Sequence, residues 1–138
     1  MTEVQKVAFL AVLVCGGRKY ANFKKAFEVL DGIHNLREIN LIITGSATGA
    51  DDLAERWAKA NEVPYQGWPA RWIKYGNSSG PRRNVLLVNA LVNTPGFKIC
   101  VAFPGGRGTE DCVDRVAYAS QHLAAIDILR VDEEEPTP

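Results

Sequence analysis

Apolar residues fall along this chain in two alternating registers. The run Val7 to Val14 is continuously apolar and reads as a strand covered on both faces, Ile99 to Phe103 reads as a buried strand, and Ile39 to Thr44 and Ala125 to Val131 read as further strands. Val63 to Trp68 is a weaker strand, with Pro64 at its start, as an edge position tolerates. Between these runs the spacing changes to that of helices. Phe23, Ala26, Phe27 and Leu30 form one stripe, with Gly32 as a stop; Leu53, Ala54, Trp57 and Ala58 form a second in a helix from Ala50 to about Asn61. A third helix begins near Ser79, with Pro81 in its first turn, and is apolar nearly all round from Val85 to Val92. A fourth, from Asp111 to about Leu123, carries Cys112, Val113, Val116, Ala117, Ser120 and Leu123 along one side. Strands alternating with helices imply an α/β fold: about five mostly parallel strands with helices on both faces, a three-layer sandwich.

Right-handed crossovers bring the loops that follow the strands to one edge of such a sheet, where ligands sit at the point of reversed strand order. Three of these loops are rich in glycine. The first carries Gly16, Gly17 and Arg18; the second runs Gly45, Ser46, Ala47, Thr48, Gly49 into Asp51; the third is Pro104 to Glu110, with Gly105, Gly106, Arg107, Gly108 and Thr109. Strand, glycine loop, helix is the grammar of an anion site. Glycines let a ligand approach backbone N–H groups, and the following helix adds unpaired donors and the positive end of its dipole. The third loop lacks the Lys-Ser/Thr of a P-loop and the last glycine of the dinucleotide fingerprint. Arg71, Trp72, Lys74 and Tyr75 interleave cations with aromatics in the irregular stretch Pro69 to Gly80, a composition suited to pairing with phosphate and stacking on a base and equally to a loop pinned to the core by its tryptophan.

Composition narrows the function classes. The 138 residues are 46% hydrophobic and 23% charged, which fits a single soluble domain over residues 1–131 followed by an acidic flexible tail, 132–138. A formal net charge of +0 removes a whole-protein footprint for nucleic acid, so nucleic acid is an unexpected partner. Cys15, Cys100 and Cys112 have no C-x-x-C spacing, and His34 and His122 are isolated, so no metal site is expected. The cysteine usage and the lack of a signal-like or membrane-spanning run point to the cytoplasm and to no membrane partner. The all-round apolar third helix needs cover, either at the centre of the monomer or from a partner chain, and a chain this short favours a homodimer or higher homo-oligomer.

The motifs Cys15-Gly16-Gly17-Arg18, Gly45-Ser46-Ala47-Thr48-Gly49-Ala50-Asp51, Pro69-Ala70-Arg71-Trp72, Tyr75-Gly76, Gly80-Pro81-Arg82-Arg83-Asn84 and Phe103 to Thr109 follow one another in order. Together they resemble the small YspA-type branch of the SLOG superfamily, which also holds the Lonely-guy phosphoribohydrolases and DprA-like proteins. The resemblance implies a Rossmann-like fold that binds a nucleotide or nucleotide-derived small molecule, as a sensor or sequestering module, with no cofactor required. Gly105, Gly106, Gly108 and Thr109 would cradle a phosphate, Arg18, Arg83 or Arg107 would pair with it, and Asp51 or Asn84 would hold a ribose hydroxyl or base edge. The chain departs from the family pattern at Thr48, where an arginine is usual, and at Arg71, where an aspartate is usual; Arg71 would then supply positive charge from another wall. An alternative is hydrolysis of the N-glycosidic bond of a nucleoside 5′-monophosphate, with Glu110 as catalytic acid residue, Asp111 in reserve and Arg83 orienting the phosphoribosyl group. The place of the hydrolases' usual glutamate is taken here by Cys112.

Overall fold

The computed structural model describes residues 8–132. Its elements are β1 (Leu10–Cys15), α1 (Phe23–Leu36), β2 (Leu41–Thr44), α2 (Ala50–Ala60), β3 (Tyr65–Gly67), α3 (Trp72–Tyr75) with a 3₁₀ turn over Gly76–Ser78, α4 (Ser79–Asn93), β4 (Phe97–Ala102), α5 (Arg107–His122) and β5 (Asp127–Arg130). All five strands form one parallel sheet in the order β3-β2-β1-β4-β5. The fold is therefore Rossmann-like. The chain winds outward from β1 to β3, returns to the other side of β1, and continues to β5. Strand order thus reverses between β1 and β4, and the two chains leaving those strands diverge there.

Every residue of β1 is buried, because successive side chains enter opposite helical layers. Leu10, Val12 and Val14 pack with Ala26, Leu30, Ala54 and Trp57 under α1 and α2. Ala11, Leu13 and Cys15 pack with Leu87, Leu91, Cys112 and Val116 under α4 and α5. Side-chain bonds tie neighbouring elements within a layer: Trp57 Nε1 of α2 donates to Asp31 Oδ1 of α1 at 2.9 Å, and Leu10 N of β1 to Asn40 Oδ1, just before β2, at 2.8 Å. The lone His34 belongs to this packing, accepting from Ile39 N at Nδ1 (3.0 Å) and meeting Trp57 edge-on.

Several boundaries differ from the periodic reading, each for a local reason. Gly32 does not stop α1, which continues to Leu36; a Cβ there would meet nothing within 4 Å, so the position lies in an exposed turn of an intact helix. The stretch after β3 is not irregular but folds into α3 and the 3₁₀ turn, pinned where Ser79 Oγ donates to Arg71 O at 2.7 Å. The side chain of Trp72 lies outside the described residues, as do residues 133–138 of the acidic tail. α5 begins a full turn early, at Arg107, so half of the third glycine loop is the first turn of a helix. α4 is covered on one side by Leu87, Val88 and Leu91, while Val85 and Leu86 remain 40% and 52% exposed. No helix among the described residues is long and apolar enough to cross a membrane.

Candidate functional site

The three glycine loops meet over the reversal point, and their glycines are what let them meet. Gly17 is the hub: its N–H donates to Pro104 O at 2.9 Å, and its carbonyl accepts from Tyr20 N and Ala50 N, both at 3.2 Å. A Cβ on Gly17 would lie 2.9 Å from Pro104 O, and one on Gly16 would lie 2.9 Å from the Phe103 Cβ. Gly49 takes φ +79°, and a Cβ there would overlap Gly17 O and the Arg18 carbonyl. A Cβ on Gly105 would overlap Thr109 Oγ1, and one on Gly45 would overlap the Arg83 guanidinium. Gly106 and Gly108 are different, since a Cβ on either meets nothing within 4 Å.

Beneath these loops lies a cavity of about 710 Å³. Of the residues the sequence singles out, Gly16, Gly17, Arg18, Gly45, Asp51, Arg83, Asn84, Gly106, Arg107, Gly108 and Thr109 line it. Asp111, the reserve carboxylate of the hydrolytic alternative, also lines it, and the structure adds Val14, Cys15, Ala47, Gly80, Pro81, Leu87 and Cys112. Ser46, Thr48, Gly105, Arg71 and Glu110 are not in its wall. Ser46, at φ +52°, turns its Oγ toward Glu55, and Thr48 Oγ1 donates to Arg18 O at 3.1 Å; both hold the second loop in shape. Gly105 backs the third loop, and Arg71 is exposed just before α3.

Glu110 stands on the outer face of α5, where Arg130 of β5 forks onto it at 3.0 and 3.2 Å. That hydrogen-bonded pair holds its carboxyl below the usual range. The carboxylates that face the cavity are Asp51 and Asp111. Asp111 accepts from Asn84 Nδ2 and from Arg115 Nε, each at 2.9 Å. Burial pushes its pKa upward, but these donors outweigh burial and hold it below the usual value.

Asp51 is 5% exposed, in the first turn of α2. Burial raises its pKa to about 6, against the pull of the Ala47 N–H at 3.2 Å and of Arg83, whose Nη1 lies 4.0 Å away. Because this carboxyl occupies the start of α2, the positive end of that helix is already complemented. The start of α5 is not. Glu110 N bonds to Gly106 O, but among the described residues the N–H groups of Arg107, Gly108 and Thr109 have no acceptor, and no side chain caps them. They end at the cavity, with the Arg107 side chain unpaired beside them among the described residues.

α4 sets the remaining wall. Arg83 Nη1 donates to Gly45 O at 2.8 Å and its Nε to Asn84 Oδ1 at 2.9 Å. Asn84 Nδ2 donates to Gly108 O at 3.2 Å as well as to Asp111. Both ends of the Asn84 amide are thus consumed inside the protein, so it orients Arg83 and the third loop rather than offering a free edge. The three cysteines are free and buried. The neighbouring thiol of Cys15 and then burial raise Cys112 far out of the reactive range, which makes it packing rather than a nucleophile. No group of three His, Cys, Asp or Glu suited to a metal occurs among the described residues.

The site therefore has a donor end, at α5 and Arg107, and an acceptor side, at Asp51 and Asp111, joined by an apolar floor of Val14 and Leu87. The Gene 61 protein of Mycobacterium phage D29 is 33% identical over 110 residues, which span 74% of this chain and 84% of that protein. A solved phosphoribosylglycinamide formyltransferase of Coxiella burnetii, in complex with CHES, is similar over 72% of this chain at 16% identity and a TM-score of 0.44, and the match covers 42% of that chain. A model of the YspA, cpYpsA-related SLOG family matches residues 10–75, from β1 through both of the first two glycine loops to the end of α3. The chain belongs to that family.

Proposed function

We propose that the protein binds a nucleotide or nucleotide-derived small molecule in the cavity at the carboxyl edge of its sheet, as a sensor or sequestering module. The observation that carries the reading is the first turn of α5, whose N–H groups at residues 107–109 lack acceptors among the described residues and end at the cavity beside Arg107. Phosphate is the guest for that end. Arg83, held by Gly45 O and Asn84, presents its remaining guanidinium edge as a fixed cation. Asp51 and Asp111 suit hydroxyl or amino donors of a ribose or base, and Leu87 and Val14 suit the flat apolar part. Family membership and fold are consistent with a nucleotide-related ligand.

Thermal shift against a panel of nucleoside mono- and diphosphates tests the reading. A ligand at 100 times its Kd is expected to add about 2.7 kcal/mol of stability. Arg107→Ala is expected to weaken binding about tenfold or more, since a hydrogen bond to a charged group contributes about 1.5–3 kcal/mol. A flat response to every member of the panel overturns it. Hydrolysis of the N-glycosidic bond is the alternative, and its carboxylate would be Asp51, with a pKa near neutrality inside the cavity, rather than the outward Glu110. Glu110→Gln should then leave both affinity and any release of free base unchanged.

The exposed Val85 and Leu86 on α4 support a homodimer through that helix. Sedimentation at micromolar concentration is expected to give a dimer that Leu86→Glu dissociates. A monomeric wild type overturns this proposal.

A further inference from the structure

Charge is distributed very unevenly in this neutral chain. From Val63 to Thr109 there is no aspartate or glutamate, yet the segment carries Arg71, Lys74, Arg82, Arg83, Lys98 and Arg107. Lys98, at the start of β4, lies at the far edge of the sheet and donates to Gly96 O. The other five belong to the loops and helix starts at the carboxyl edge. Arg83 and Arg107 line the cavity; Arg71, Lys74 and Arg82 do not.

These last three gather around one ring. The Arg82 guanidinium lies 4.4 Å from the Tyr75 centroid and the Lys74 ammonium 5.1 Å from it. Arg82 Nε also donates to Ser78 Oγ at 3.1 Å, which fixes the guanidinium over the ring. The Lys74 ammonium first, then Arg82 and Arg71, hold the Tyr75 hydroxyl below its usual range, so all three cations act on the same small area. None of them has a carboxylate partner among the described residues, whereas Arg56, Arg115 and Arg130 each have one. Adjacent helical positions diverge by about 100°. Arg83 therefore turns into the cavity while Arg82 turns onto this outer shelf, and Gly80 and Pro81, which line the cavity, form the lip between them.

We propose that this shelf is a second phosphate site and that the ligand is a short oligonucleotide of two or three nucleotides, its 5′-phosphate in the cavity and its next phosphodiester on Arg71, Lys74 and Arg82. The proposal rests on the cavity reading and extends it. A single nucleoside monophosphate leaves the shelf cations uncompensated, and their mutual repulsion is what a second phosphate relieves. Arg82 stacked on Tyr75 also offers a flat cationic surface on which a base can lie. A long strand is disfavoured because all of the chain's aspartates and glutamates lie outside this segment, which leaves the rest of the chain net acidic.

The test measures binding of 5′-phosphorylated mono-, di- and trinucleotides of each base to the full chain, over a range of salt. The dinucleotide is expected to bind at least tenfold tighter than the mononucleotide at low salt, with a log–log salt slope steeper by about 0.7 for each added contact. Lys74→Ala/Arg82→Ala should remove that gain and leave mononucleotide affinity unchanged. Equal affinity for mono- and dinucleotide overturns the second site and leaves the cavity reading standing. No binding of any mononucleotide, with none of the longer probes bound, overturns both. A gain that survives the double variant places the extra contacts elsewhere and overturns the shelf. Affinity that keeps rising through a 20-nucleotide strand overturns the short-oligonucleotide assignment.

Discussion

Gly49→Ala is expected to lower the melting temperature by about 10–15 °C, the largest loss of any single methyl added to the site. At φ +79° and ψ −127° the residue occupies a backbone region closed to side chains, which costs about 1–3 kcal/mol for an L-residue. The added Cβ would also overlap Gly17 O and the Arg18 carbonyl, both backbone atoms that cannot rotate away. Overpacking of this kind costs about another 1–3 kcal/mol. A total near 3–5 kcal/mol in a chain of this length corresponds to the shift stated. Gly106→Ala provides the contrast. Its methyl meets nothing within 4 Å, so melting should move by no more than about 2 °C. Yet the methyl lies at the mouth of the donor end, and ligand affinity should fall about tenfold. Calorimetry and titration on the two variants separate the glycines that hold the loops together from those that leave room for a guest. Equal melting losses would overturn that division.

The same division explains how much of the molecule could be read from its sequence. Element order, the parallel sheet and the gathering of three glycine loops at one edge all follow from periodicity and from the position of each glycine run after a strand. Which side chains then face the cavity depends on helical phase, and there the polar first turn of α5 misled. Residues 107–110 carry no apolar marker, so the pattern starts the helix at Asp111. Extending its wheel backward puts Thr109, Cys112, Val113 and Val116 on the buried side and Glu110 on the exposed side with Asp114 and Tyr118. That extension was available from spacing alone. The Arg130 partner of Glu110 was not, because it arrives from β5 across 20 residues. Asn84 was also beyond local reading: nothing in its neighbours says that its amide is spent on Arg83, Gly108 and Asp111. Ser46 and Thr48 belong to the second loop by sequence but face away from the cavity, since loop path is set by contacts with Arg18 and Glu55.

Asp51→Asn should stabilise the protein above pH 6 and have little effect below pH 4. In the fold, burial keeps the Asp51 proton bound up to about pH 6, against an ordinary pKa of 3.8 when exposed. Between those values the folded state holds more protons than the unfolded one, so stability falls as pH rises through the window. Each pKa unit corresponds to about 1.4 kcal/mol, which makes the whole loss about 3 kcal/mol, complete above pH 6 and absent below pH 4. Asparagine keeps an acceptor for the Ala47 N–H and carries no charge to desolvate. Arg83, with Nη1 4.0 Å away, loses a counter-charge in the variant, which offsets part of the gain and leaves a net of about 1–2 kcal/mol at pH 7. The measurement is denaturant unfolding of both proteins from pH 4 to pH 8. Wild type should lose stability across that range more steeply than the variant, and parallel pH profiles would show that Asp51 ionises as an ordinary surface carboxylate. The reason to keep a destabilising carboxylate at this position is its place in the cavity wall, opposite the donor end of α5. An acceptor held there without full solvation is poised to take a ligand hydroxyl or amino hydrogen in place of water. Binding should therefore recover part of what folding loses, and ligand at saturation should lower the apparent Asp51 pKa if the donated hydrogen bond is made.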